Sequence, residues 1–112
     1  MPSADPAVPV PADAPLGMSR FAVQHDTDDV VVTRWSIDPG THTGMHVHGL
    51  DYVVVPLTTG LMTLTFPDGS TMENPLTPGV TYTRSAGVEH DVANHGAETF
   101  EFIEVELRRP RP

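Results

Sequence analysis

From Ser19 onward, turn-forming residues interrupt the chain roughly every ten positions, a spacing that suits short strands and leaves no room for long helices. The interruptions include Pro39-Gly40, Thr59-Gly60, Pro67-Asp68-Gly69, Pro78-Gly79, Ala86-Gly87 and His95-Gly96. Between them, residues alternate in character. Val31, Thr33, Trp35 and Ile37 share one face of 30–38; Met62, Leu64 and Phe66 alternate with threonines in 61–66. Val80, Tyr82 and Arg84 form a third such set, and Val88, His90 and Val92 a fourth. A period of two is the mark of a strand. Further strands are expected at 21–25, 43–48, 51–57 and 71–73, with Pro56 at a strand end or edge. In 98–107, Phe100 and Phe102 fall on one parity while Ile103, Val105 and Leu107 fall on the other, which implies a bulge or burial on both faces. Glu101, Glu104 and Glu106 read there as a solvated face. The fold class is therefore all-β, a sandwich or a closed barrel whose interior can hold a ligand.

The 112 residues amount to one domain. Residues 1–17 carry five prolines without periodicity and read as a flexible Pro/Ala-rich arm, leaving 18–112 as a single barrel. Fifteen acidic residues against six arginines give a net charge of −9, which argues against nucleic-acid or anionic-membrane partners. Arg108, Arg109 and Arg111 look like a solvated tail. No apolar run reaches the ~18 residues of a membrane span, and no secretion signal opens the chain, so a cytoplasmic protein is expected. Without cysteine, a metal site would rest on imidazole and carboxylate.

His46 and His48 lie one residue apart, so on a strand they aim two imidazoles at one point. His90, on its own strand with Val88 and Val92, is the best third donor. His42 shares the parity of the pair and could line the same cavity, while His25 and His95 fall at a strand end and in a turn and read as surface residues. A lone inward histidine is ordinarily a hydrogen-bonded core residue, so the metal reading rests on the three together.

These residues resemble the two motifs of the cupin superfamily. The first, G-x5-H-x-H-x(3,4)-E-x6-G, is matched by Gly40, His46, His48 and Gly60; the second, G-x5-P-x-G-x2-H-x3-N, by Gly79, Gly87, His90 and Asn94, with Ser85 where proline is usual. The runs HVHGLDYVVVPLTTG and RSAGVEHDV also look like small single-domain cupins associated with β-alanine degradation. The resemblance implies a jelly-roll (double-stranded β-helix) barrel, a homodimer, and one divalent transition metal (Fe, Mn, Ni, Zn or Cu, with Fe favoured) on His46, His48 and His90. One departure matters: Tyr52 or Val53 stands where the motif glutamate would be. Asp51 is adjacent and would become a ligand if a bulge at Gly49 turned it inward. Otherwise the site has three histidines and open positions, like the cupins, thiol dioxygenases among them, that hold iron in this way.

Two functions follow. One is an enzyme performing dioxygenase-like or other metal-assisted chemistry on a small polar acid or amino acid. In it Tyr52 or Tyr82 is the proton donor and Arg84 clamps an anionic group. The other is a non-catalytic module that binds or senses a small metabolite. In the bland alternative Tyr52, Tyr82 and Met62 simply fill the barrel, and Arg84 pairs with an acidic residue at its mouth.

Overall fold

Most of the alternating segments become strands with their apolar parity turned inward, in a computed structural model that describes residues 16–108. Eleven strands are formed among the described residues: β1 (Gly17–Met18), β2 (Arg20–Asp26), β3 (Val30–Ile37), β4 (Thr41–His42), β5 (His46–Val47), β6 (Tyr52–Pro56), β7 (Gly60–Thr65), β8 (Thr71–Leu76), β9 (Tyr82–Arg84), β10 (Glu89–Ala93) and β11 (Phe100–Leu107). They build two sheets. One runs β1-β4-β10-β7-β8, with β5 also paired to β10; the other runs β2-β3-β11-β6-β9. Apart from the parallel β1–β4 contact, the pairs are antiparallel. The chain is all-β, a double-stranded β-helix of jelly-roll type. No helix among the described residues is long and apolar enough to cross a membrane.

The core lies between the sheets. Ile37, Tyr52, Val54, Met62, Leu64, Leu76, Val92, Phe100 and Phe102 are buried in one cluster, with Trp35, Phe66 and Tyr82 packed against it. Pro56 ends β6, and Pro75 sits in β8, the outermost strand of its sheet, where a missing N–H breaks no ladder. β8 continues past that proline to Leu76, so the strand is longer than 71–73.

Of the two alternatives for the last strand, burial on both faces holds: Phe100 and Phe102 are buried and Ile103 and Val105 half-buried, while β11 pairs without a bulge, residue by residue, with β3 from Phe100↔Ile37 to Leu107↔Val30. The register shift lies instead in β2, between Val23 and His25. One expectation is corrected here: Glu101, Glu104 and Glu106 do not form one solvated face. Glu104 has the parity of Phe100 and Phe102 and is 8% exposed. Residues 1–15 of the expected arm, and 109–112, lie outside the described residues, while Gly17 already belongs to β1 and pairs with Thr41. Arg108 is exposed but ion-paired, its Nη1 lying 2.7 Å from Asp26 Oδ1.

Candidate metal centre

The two histidine-bearing segments meet because β5 pairs antiparallel with β10, setting His46 directly opposite His90. His48, just beyond β5, is fixed to the facing turn: its N–H donates to Val88 O at 2.8 Å, and Gly87 N–H donates back to His48 O at 2.7 Å. Gly87 takes φ +98° there, a conformation L side chains rarely adopt. The ligand-capable atoms of His46, His48 and His90 lie within 4.8 Å of one another.

Ring orientation is set from outside the cluster. The strand expected over 43–48 is interrupted, and the loop between β4 and β5 folds back on Asp91. Asp91 Oδ1 accepts Gly44 N–H at 3.1 Å, and Asp91 Oδ2 lies 2.8 Å from His42 Nδ1. His42 is thereby diverted to Asp91 and stays out of the cluster. His46 Nδ1 lies 2.8 Å from Gly44 O, an acceptor only, so Nδ1 carries a hydrogen and Nε2 is the nitrogen turned to the cluster.

The donor chemistry fits a cation. His46 Nε2 and His48 Nε2 are 3.0 Å apart, close to the separation of two nitrogens at ~2.1 Å from one ion at a right angle. Burial, followed by the neighbouring imidazoles, lowers His48 to about 4, and burial with His46 does the same for His90. Both rings are neutral donors near pH 7. Among the described residues His90 Nε2 is buried with no hydrogen-bond partner, an arrangement a bound ion would resolve.

Glu104 reaches the same place from the opposite sheet. Its Oε1 accepts the Trp35 indole N–H at 3.1 Å, and its Oε2 lies 4.0 Å from His48 Nε2. That approach is not a charged pair, because burial keeps His48 neutral and, together with Glu106, lifts Glu104 to about 7. The alternation of β11 was the available signal: Glu104 continues the inward row of Phe100 and Phe102.

The other expected residues divide. Asp51 is not in the cluster; its Oδ1 accepts the Ala86 N–H at 2.8 Å, so the carboxylate pins the turn before His90 and is not rotated inward at Gly49. Tyr52, 2% exposed, stacks on His48 with centroids 4.0 Å apart. The Tyr82 hydroxyl accepts from Asn74 Nδ2 at 2.8 Å, and Arg84 lies over the Tyr82 ring with its Cζ 4.4 Å from the centroid. Tyr52, Tyr82 and Arg84 line an interior cavity of about 20 Å³ together with His90 and Glu104. A wider cleft of about 250 Å³ opens at His46 and His48 and is walled by Phe21, Trp35, Thr43 and Glu104. His25 is exposed, as expected, whereas His95 is half-buried.

No model of a protein family matches the chain. The chain is 49% identical over 86 residues to the β-alanine degradation protein BauB of Pseudomonas aeruginosa, spanning 77% of this chain and 90% of the relative. A cupin domain from Bordetella pertussis, known from its crystal structure, is 44% identical, with a TM-score of 0.81 over 86% of this chain and 99% of that one. A double-stranded β-helix protein from Klebsiella pneumoniae superposes with a TM-score of 0.68 at 25% identity, covering 88% and 81%.

Proposed function

The chain belongs to the cupin family, similar to members associated with β-alanine degradation, and on that premise we propose that it is a metal-dependent enzyme acting on a small polar acid or amino acid. The observation that carries this reading is the convergence of three imidazoles, one of them with a buried nitrogen that has no partner among the described residues. Such a set leaves coordination positions open, as catalytic centres do and closed structural sites do not. A divalent transition metal held there, iron by preference, would supply Lewis acidity and a site for O2 chemistry.

The protein's own part is to bind and orient. The cleft at His46 and His48 is the entrance, with Phe21 and Trp35 as its apolar wall. Tyr52 and Tyr82 serve as proton donors; burial raises both phenols above their ordinary range, so they stay protonated at physiological pH. Arg84, which lines the interior cavity with His90, takes the substrate's anionic group, for which its planar fork is suited. Two copies pair along β2, an edge strand exposed throughout, where Phe21 and Val23 are 61% and 53% exposed. β11 offers no edge because β3 and β6 flank it. Light scattering that returned a single-chain mass would remove the dimer from this reading.

The central test is elemental analysis of protein purified without chelator, paired with oxygen consumption on β-alanine-related and thiol compounds. His46→Ala, His48→Ala and His90→Ala should each remove most of the metal while the β-sheet circular dichroism persists. Metal content unchanged in all three would dispose of the centre. A metal-loaded protein that turns over none of these compounds would favour the binding module over the enzyme.

A further inference from the structure

The motif glutamate of other cupins has no counterpart after the H-x-H pair, and Tyr52 occupies its place with its ring stacked on His48. The register of the second sheet offers a replacement one strand away. β11 pairs with β6 so that Glu106 faces Tyr52 and Glu104 faces Val54. Glu104 therefore stands two residues along the same inward face, buried at 8% exposure. We infer that Glu104 is the carboxylate of this metal centre, supplied by the last strand and completing His46, His48 and His90 as a fourth, anionic donor.

Three observations carry the inference, which rests on the metal reading above. Glu104 Oε2 lies 4.0 Å from His48 Nε2, within the ~4.2 Å that can separate two donors bound at about 2.1 Å to one ion. The carboxylate sits outside the tight histidine group, because the Trp35 N–H holds its other oxygen at 3.1 Å. Oε2 is left to turn toward an ion between the rings. Finally, a carboxylate this deeply buried calls for a positive partner, and among the described residues no arginine is ion-paired with it. A cation bound among His46, His48 and His90 is the charge that the site lacks. The inward carboxylate also lines the cleft beside His46 and His48, so it reaches the ion from the side open to ligands.

Cobalt(II) is a suitable probe, because its visible absorption reports donor number and charge. Chelator-treated parent protein and Glu104→Gln would be titrated with Co(II), following the spectrum and bound metal. Circular dichroism would confirm that the variant is folded. Glu104→Gln keeps the shape and an acceptor for Trp35, yet should bind Co(II) at least tenfold more weakly and with shifted bands. Equal affinity with an identical spectrum would overturn the inference while leaving the three-histidine centre standing. A parent protein that takes up no Co(II) would overturn both. If Glu104→Gln does not fold, Trp35→Phe decides: releasing the carboxylate should alter the Co(II) bands, and an unaltered spectrum would count against Glu104.

Discussion

At the scale of single residues, Asn94 makes three hydrogen bonds from a side chain that is 1% exposed. Its Nδ2 donates to Ile37 O and to Glu98 O, each at 2.8 Å, and its Oδ1 accepts Gly96 N–H at 2.8 Å. Its backbone also bridges to Gly40 and Thr41. The motif asparagine thus ties the end of the histidine strand to the turn before β4 and to the entry of β11, and touches no metal donor. Asn94→Ala would remove three hydrogen bonds, the one to Ile37 O fully buried, a loss of about 3 kcal/mol. A urea midpoint within error of the parent's would refute that account. Asn94 was legible as a motif position, but its task was not, because its partners lie on three separate segments. Glu104 is the converse case. Its inward parity could be read directly from Phe100 and Phe102, yet a glutamate amid alternating acids looks solvated until the facing strand is known.

Among the elements, β7 and β11 belong to different sheets and come together at Gly60. A Cβ built on Gly60 would stand 2.6 Å from Phe100 Cβ and 2.9 Å from its Cγ. Those atoms are the root of the Phe100 side chain, so no rotamer change relieves the clash. Gly60→Ala should destabilise the protein by about 3 kcal/mol through overpacking where the sheets converge. Gly69 makes a useful contrast: it has φ +86° in an open turn with nothing within 4 Å. Gly69→Ala should cost only the strain of the left-handed backbone, about 1 kcal/mol. Equal losses in urea melts of the two variants would mean that Gly60 is not a contact glycine. The spacing of such glycines made the strands legible. What alternation could not supply was partner choice, since β3 pairs with β11 across the length of the chain and the β4–β5 break depends on Asp91.

For the molecule as a whole, the site's buried titratable groups set opposing slopes of stability against pH once metal is removed. His48 and His90 are held at about 4 against an ordinary 6.5. Between those limits the unfolded chain binds protons there that the folded one refuses, so stability rises with pH. Glu104 is held at about 7 against an ordinary 4.5. The folded chain keeps that proton while the unfolded one releases it, so its contribution falls as pH rises from 4.5 to 7. Two histidines outweigh one glutamate. The metal-free protein should gain stability from pH 4.5 to about 6.5, with the equivalent of one group's ~1.4 kcal/mol per pH unit at most, then lose a little toward pH 7. The lowered carboxyls Asp38, Asp68 and Glu101 act only as pH falls below their ordinary range and do not disturb this window. Glu104→Gln removes the opposing slope. Its stability should climb more steeply below pH 6.5 and show no decline above it. Between pH 4.5 and pH 8 it should gain on the parent by about 3 kcal/mol. Urea unfolding of both chelator-treated proteins across that range measures the difference. Parallel curves would mean that Glu104 ionises in the folded protein as it does in the unfolded chain, and its burial beside Trp35 would not govern its charge.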